Sequence, residues 1–235
     1  MNQDLIINTS TFADGNMSLN WGEKLEVEKN RKRFLGKSGI KIEDCVYASL
    51  LGGTKINTVG REDKGKFIEG DALITTQKGV ALFMVTGDCL PVAFFDPTKK
   101  ILAMAHLGWK GVDLRLAEKV MKRLKEVGAN TEQVRVFIGP GVRKDTYIKY
   151  GEKLEFFKKN TGKAWKDFLV NMPDKKVGLD LVGYVIRQLV GAGVKEKNIN
   201  VSDIDTIADK NYFSHYRAGM TGEKEGRFAT VLMRK

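Results

Sequence analysis

The amino-acid sequence contains few residues that can form disulfides or bind soft metals. Only two cysteines and two histidines occur among its 235 residues, and they are Cys45, Cys89, His106 and His215. This scarcity excludes a disulfide framework, zinc fingers, a four-cysteine iron–sulfur site and a histidine-rich multicopper site. Because 42% of the residues are hydrophobic, a chain of this length can bury a sizeable core and hold its fold by packing.

The net charge of +11 reflects 40 lysine and arginine residues against 29 acidic ones. A basic surface attracts anionic partners such as phosphates, nucleotides or nucleic acid. The lysines are scattered along the chain, which is typical of an ordinary solvated surface. The sequence has no stacking-aromatic motif of an RNA-binding module, so nucleic acid ranks last among these partners.

No segment has the pattern of an export signal or a membrane anchor. The start, MNQDLIINTSTF, lacks a basic region followed by an apolar one. The longest apolar stretch, residues 80–85, is too short to span a bilayer. We therefore expect a cytoplasmic protein with reduced thiols and no membrane partner. The sequence leaves the oligomeric state open.

Helical and strand patterns follow each other irregularly along the chain. The periodicity predicts helices over 26–35, 112–127 and 179–190, and strands over 44–51, 72–76, 80–85, 91–95, 101–105, 134–138 and 228–233. Two pairs of strands are predicted to form hairpins, one around QKG and one around DPTKK. Without a linker or a repeat, the pattern predicts one α+β domain over residues 1–235 rather than a doubly wound sheet.

The most informative segment is residues 81–111, ALFMVTGDCLPVAFFDPTKKILAMAHLGWKG. Cys89 follows one predicted strand, and His106 ends another just before a predicted helix near Val112. Such strand ends commonly present functional side chains, and a helix N-terminus favours anions. Lys110 lies in the same turn and supplies a positive charge for a phosphate.

Two chemistries suit a cysteine and a histidine that neighbouring strands bring together. Cys89 is a nucleophile that His106 activates, or both residues bind zinc or copper. The alternative is that both are buried structural residues, as we expect for Cys45 within its strand. Spacing alone does not choose among these interpretations.

Several ordered motifs resemble the laccase-domain family, also called the YfiH-like or multicopper polyphenol oxidoreductase family. The segment TGDCLPVAFFDPTKKILAMAHLGWKG is similar to the family pattern TADCLPV…DP…AAHAGWRG. Four further segments resemble family motifs in the same order, and they are SLNWG at 18–22 with Asn30-Arg31, GDALITTQKG at 70–79, FIGPGV at 137–142 and YFSHYRAGMTGEKEGRFA at 212–229.

The resemblance implies a layered α/β/β/α fold with mixed sheets. It also implies phosphorolysis of purine nucleosides (adenosine, inosine or methylthioadenosine), with adenosine deamination alongside, so a purine nucleoside and phosphate are the expected partners. Cys89 and His106 are then catalytic residues and ligands of zinc or copper. Lys110 and Arg217 are expected to bind phosphate or substrate.

The sequence also departs from the family pattern at positions that matter. Gly52, in LLGG at 50–53, stands where the family's QVHG motif has its third ligand histidine, and Phe12 stands where a TR motif has arginine. A catalytic zinc ion ordinarily has three protein ligands, so only His215 is left as a replacement histidine. These departures keep two alternatives open, namely a degenerate member with a non-catalytic binding role and a metal-free Cys-His hydrolase or amidase.

Overall fold

Uniformly apolar strands and a few amphipathic helices build a layered structure. The computed structural model describes residues 4–235, and residues 1–3 of the predicted domain lie outside this range. Within it, six α-helices follow in chain order, α1 (Lys24–Gly36), α2 (Trp109–Asp113), α3 (Leu116–Glu126), α4 (Gly151–Asn160), α5 (Leu181–Gly191) and α6 (His215–Thr221). Not one of these helices is long and apolar enough to cross a membrane.

Fourteen strands of the described range form three sheets. In chain order they are β1 (Leu5–Thr9), β2 (Cys45–Ser49), β3 (Ile56–Thr58), β4 (Phe67–Glu69), β5 (Ala72–Thr75), β6 (Ala81–Thr86), β7 (Leu90–Asp96), β8 (Ile101–Leu107), β9 (Arg135–Ile138), β10 (Ile148–Lys149), β11 (Leu169–Met172), β12 (Lys176–Leu179), β13 (Ile199–Val201) and β14 (Phe228–Arg234). The sheet orders are β1-β14-β6-β2-β4, β13-β9-β7-β8-β5-β3 and β10-β12-β11.

The two large sheets pack face to face. Leu82 and Met84 of β6 share one buried cluster with Phe95 of β7 and with Leu102 and Met104 of β8. Helices α3 and α5 cover the outer face of the six-stranded sheet, and α1 covers the outer face of the five-stranded sheet. The layered α/β/β/α fold implied by the resemblance is therefore confirmed.

The hairpin predicted around DPTKK is present and sets the position of the two site residues. Strands β7 and β8 pair antiparallel, with Pro91 opposite His106. The carboxylate of Asp96 accepts hydrogen bonds from the backbone and hydroxyl of Thr98 and from the amide of Lys99, which closes the turn.

The hairpin predicted around QKG is wrong. Strand β5 pairs with β3 and β8 in the six-stranded sheet, whereas β6 pairs with β14 and β2 in the five-stranded sheet. The intervening residues carry the chain from one sheet to the other. Both strands are almost wholly buried. Their sequences therefore do not alternate between apolar and polar residues, which is the pattern of a two-stranded unit with one face in solvent.

The helix predicted over 112–127 is two helices, and it starts earlier than predicted. Helix α2 begins at Trp109, so Lys110 lies inside the helix and not in the preceding turn. Arg115 has a left-handed backbone (φ 59°), which breaks the helix before α3. Residues 60–70 contain an edge strand, β4, and Cys45 is buried in the core as expected.

Candidate functional site

The antiparallel pairing of β7 and β8 brings Cys89 and His106 together. Cys89 directly precedes β7, and His106 is the sixth residue of the seven-residue strand β8. A Cβ atom added at Gly108 would lie 2.8 Å from Cys89 Sγ and 3.8 Å from His106 Cε1. Gly108 therefore makes room for both side chains, and any larger residue there would displace the sulfur.

Asp71 completes this cluster from the start of the neighbouring strand, β5. Its side chain is wholly buried, and its Oδ1 lies 3.1 Å from Nδ1 of His106. The amides of Gly52 and Gly53 donate hydrogen bonds of 2.9 and 2.8 Å to the same carboxylate. Burial alone would raise the pKa of Asp71, but the hydrogen bonds from His106, Gly53 and Gly52 lower it below its usual value.

His106 is held in its charged form by the same surroundings. Burial lowers the pKa of an imidazole, but the electrostatic interaction with Cys89 and hydrogen bonds to Asp71 and Cys89 raise the pKa of His106 to about 9. A sulfur nucleophile, an imidazole and a carboxylate that orients the imidazole are the parts of a nucleophilic site. Asp71 lies in the GDALITTQKG segment, but nothing in the sequence predicted a role for it.

A lysine that the sequence reasoning also missed faces this cluster. Lys149 Nζ lies 4.0 Å from the ring centroid of Tyr147 and 5.0 Å from that of Tyr216. Burial and the charge of Lys153 lower the pKa of Lys149 to about 8, against the opposing charges of Asp88 and Cys89. In sequence this lysine is one of many, and only the fold places it near the cysteine.

A cavity of about 390 Å³ has Lys149 in its lining, whereas Cys89, His106 and Asp71 are not among its lining residues. Its lining combines aromatic rings with charged groups, and it consists of Trp109, Lys149, Glu152, Lys153, Phe156 and Phe157. Cavities of this size and composition accommodate small ligands. Lys110 is exposed, and its Nζ lies 5.6 Å from the ring centroid of Trp109. It is not one of the residues that line the cavity.

Arg217 lies apart from this cavity in a network of its own. It is 8% exposed, and its guanidinium donates to the carboxylate of Glu223 and to the backbone carbonyls of Thr206, Ile207, Asp209 and Tyr212. These bonds tie the 206–212 loop to α6. A substrate contact by Arg217 stays a prediction, and this network leaves it little freedom for that role.

Asp88 holds the backbone of two distant segments together. Its carboxylate accepts hydrogen bonds from the Thr206 hydroxyl at 2.8 Å and from the Tyr216 amide at 2.6 Å. The residue has a φ of 116°, so these bonds hold a strained turn in place just before Cys89.

Comparisons with known proteins agree with this architecture. A family model described as multi-copper polyphenol oxidoreductase laccase matches residues 6–235. The chain belongs to the laccase-domain family. A relative named purine nucleoside phosphorylase, from Deinococcus radiodurans, is 30% identical over 92% of this chain and 82% of its own. Another, named adenosine deaminase RL5, from an unknown prokaryotic organism, is 32% identical over 91% of this chain and 84% of its own.

Two solved structures show the laccase-domain fold in this chain. The hypothetical protein YfiH from Bacillus licheniformis superposes with a TM-score of 0.87 at 22% identity, covering 98% of this chain and 93% of that one. YlmD from Geobacillus stearothermophilus gives a TM-score of 0.85 at 24% identity, covering 99% and 93%.

The laccase-domain name implies a metal, but the side chains present do not fit one. Within residues 4–235, no group of three or more His, Cys, Asp and Glu residues is placed to hold a metal ion. Gly52 offers no side chain, and His215 is not brought into a group with Cys89 and His106, because its Nδ1 pairs with Glu225 at 2.9 Å. Two ligands fall short of the three that a catalytic zinc ion ordinarily has.

Proposed function

We propose that this laccase-domain protein is an enzyme of the purine nucleoside phosphorylase type, with its reacting centre at Cys89 and His106. In phosphorolysis, a phosphate oxygen bonds to C1′ of the ribose while the bond from C1′ to the purine nitrogen breaks, and the purine leaves with a proton. Adenosine, inosine and methylthioadenosine are the proposed substrates. The relative named purine nucleoside phosphorylase supports this class of reaction.

The observation that carries the proposal is the position of His106 between Asp71 and Cys89. Both Cys89 and His106 lie against Gly108, and the next residue, Trp109, lines the cavity that contains Lys149. A protonated His106 can donate its proton to the departing purine, which is general acid catalysis. Asp71 acts as a positioning residue, because it fixes the imidazole through Nδ1 and stabilises its charge.

The cavity offers binding groups for both substrates. The ammonium groups of Lys149 and Lys153 complement the charge of phosphate. The rings of Trp109 and Phe156, whose centroids lie 6.5 Å apart, offer aromatic surface for a purine. Lys110, at the outer edge, adds positive charge that attracts the anion.

The metal-dependent form of this proposal would have Cys89 and His106 hold zinc or copper. Such an ion would polarise the phosphate or activate a water molecule. Because the donor set does not fit a resident metal, the steps above are assigned to the protein's own side chains. Elemental analysis of the protein as purified tests this part separately.

The test is release of free purine base from each nucleoside, with and without inorganic phosphate. We expect phosphate-dependent release that His106→Ala and Cys89→Ala each reduce by about 100-fold or more, in the range typical of general acid–base groups. His215→Ala is the matched control, since the chain's other imidazole is exposed and pairs with Glu225. Equal release by wild type and Cys89→Ala would refute the proposal.

A second candidate is favoured by the carboxylate on His106. Cysteine, histidine and aspartate in this order form the site of a metal-free hydrolase or amidase, in which Cys89 attacks a carbonyl carbon. It requires rapid alkylation of Cys89 by iodoacetamide at neutral pH and a large loss of that rate in His106→Ala. An ordinary rate of alkylation in wild type would exclude it. A folded protein without either activity would leave the non-catalytic binding role.

A further inference from the structure

A second cavity, of about 350 Å³, lies on the outer face of the five-stranded sheet. Tyr47 of β2 and Phe83 of β6 form its floor, and the 18–21 loop and Arg31 of α1 form its wall. Cys89 and His106 line neither this cavity nor the one that contains Lys149, and no residue lines both cavities. It is therefore a separate candidate binding site.

The defining feature of this cavity is a buried cation without an acidic partner. Arg31 is 5% exposed, and its Nε and Nη2 both donate to the carbonyl of Met17, at 2.9 and 2.7 Å. Within residues 4–235, Nη1 makes no hydrogen bond and no carboxylate forms an ion pair with this guanidinium. Burial lowers the pKa of Arg31, and a buried charge is costly unless an opposite charge accompanies it.

Aromatic rings surround this guanidinium and extend to the surface. The Arg31 carbon Cζ lies 5.1 Å from the ring centroid of Tyr47 and 5.7 Å from that of Phe67. Phe67 stacks on Tyr47 and is 53% exposed. A ring that is both stacked and half-exposed offers one face to a planar ligand.

A second arginine in the lining also lies over an aromatic ring. Arg227 Cζ lies 4.9 Å from the ring centroid of Trp21, which is 41% exposed. Arg227 Nη1 pairs with Glu225 at 2.5 Å, so this second arginine is partly neutralised, whereas Arg31 forms no ion pair with a carboxylate of residues 4–235. Arginine is well suited to bind phosphate or carboxylate through paired hydrogen bonds.

We propose that this cavity binds a planar aromatic ligand that carries a phosphate or carboxylate group. The anionic group pairs with Arg31 Nη1, and the ring stacks between Trp21 and Phe67. A mononucleotide and an aromatic acid both have this chemistry. The site does not depend on the proposed function, because it shares no lining residue with the cavity that Trp109 and Lys149 line.

Isothermal titration with four probes tests the proposal, using AMP, adenosine, inorganic phosphate and benzoate. We expect AMP or benzoate to bind at least tenfold more tightly than adenosine or phosphate alone, and the tighter of the two identifies the source of the anion. Trp21→Ala and Phe67→Ser each remove exposed ring surface, so both are expected to weaken that binding at least fivefold. Arg31→Lys is expected to weaken it at least tenfold.

Two controls separate this site from the proposed catalytic one. Leu25→Ala lies on the same helix as Arg31 at an 82% exposed position outside the cavity, and it should leave affinity unchanged. Cys89→Ala should also leave affinity unchanged. Equal affinity for AMP and adenosine without binding of benzoate, or loss of binding in Cys89→Ala, would overturn the proposal. So would unchanged binding in both Trp21→Ala and Phe67→Ser, which do not disturb the buried Met17 contact.

Discussion

Asp71 Oδ1 lies 3.1 Å from His106 Nδ1, and Asp71 directly precedes β5, which pairs with the strand of His106, β8. The same carboxylate accepts the amide hydrogens of Gly52 and Gly53. Asp71 therefore connects His106 to the turn at Gly52 and Gly53. Gly52 stands where the family pattern has its third ligand histidine. The backbone amides of this turn hold it to Asp71, although position 52 has no histidine side chain.

Replacing Asp71 with asparagine is expected to lower the pKa of His106 from about 9. The substitution removes a negative charge that favours the imidazolium. NMR titration can follow this directly, because His106 and His215 are the only imidazoles in the sequence. The pKa of His215 serves as the internal control, and an unchanged pKa of His106 would contradict the ion pair.

The same ion pair makes stability depend on pH in a definite direction. The pKa of His106 is raised by folding, so protonation stabilises the folded state fully below pH 6.5, the usual value, and this contribution is lost as the pH rises towards 9. The difference in unfolding free energy between wild type and Asp71→Asn should therefore shrink between these two pH values.

A histidine at position 52 is expected to restore metal binding. Gly52 has a φ of 69°, and an added Cβ atom would meet nothing within 4 Å. Histidine tolerates this left-handed backbone better than most residues do. With Cys89 and His106 it would supply a third ligand, so we expect Gly52→His to bind zinc at least about tenfold more tightly than wild type.

Gly39→His is the matched control for this experiment. Gly39 has the same φ of 69° and equally open surroundings, but it follows α1, away from the site. Competition with a zinc-binding dye measures both variants. Equal gains in the two proteins would show that any added histidine binds zinc, and that Gly52 does not face Cys89 and His106.

The meeting of Cys89 and His106 could be predicted because it depends on local sequence. The DPTKK turn and two apolar runs define one hairpin, and the register of that hairpin places Pro91 opposite His106. Asp71 could not be assigned in this way. It lies 35 positions before His106. The strand that follows it, β5, pairs with β8 because the chain crosses to the other sheet after residue 75, where the sequence predicted a hairpin.

Lys149 shows a second limit of prediction from sequence. It belongs to β10, a two-residue strand of the small sheet, too short to give a periodic signal. Its importance comes from partial burial against Tyr147, two positions before it, and Tyr216, 67 positions after it, and only the fold brings the second ring to it. The sequence also predicted one helix over 112–127 where the structure has α2 and α3. The break comes at Arg115, whose left-handed backbone gives no sequence signal because the residue is neither glycine nor asparagine.

Phosphate binding is expected to weaken as the pH rises through about 8, the pKa of Lys149. Lysine is charged below its pKa and neutral above it, so the attraction to phosphate is lost on the alkaline side. Lys149→Met should raise the KM for phosphate about tenfold near pH 7, as expected for loss of a charge-assisted hydrogen bond. Steady-state kinetics between pH 6.5 and 9 measures both effects.

Two variants make this test specific. Lys149→Arg retains a positive charge at every pH, so its phosphate affinity should not decline near pH 8. Lys110→Met removes an exposed lysine outside the cavity lining, and its effect should be small and sensitive to salt. A KM for phosphate that is unchanged in Lys149→Met would remove Lys149 from the phosphate site.

Arg217 is expected to stabilise the fold rather than contact the substrate. Its guanidinium is buried and bridges Glu223 with the backbone of residues 206–212. Arg217→Met would leave these acceptors without a donor, at a cost of about 3 kcal/mol in unfolding free energy. The control is Arg187→Met, because Arg187 forms an exposed ion pair with Asp167 and its loss should cost less than about 1 kcal/mol. Urea unfolding measures both values, and an Arg217→Met protein of wild-type stability with a raised KM for nucleoside would instead establish the substrate contact.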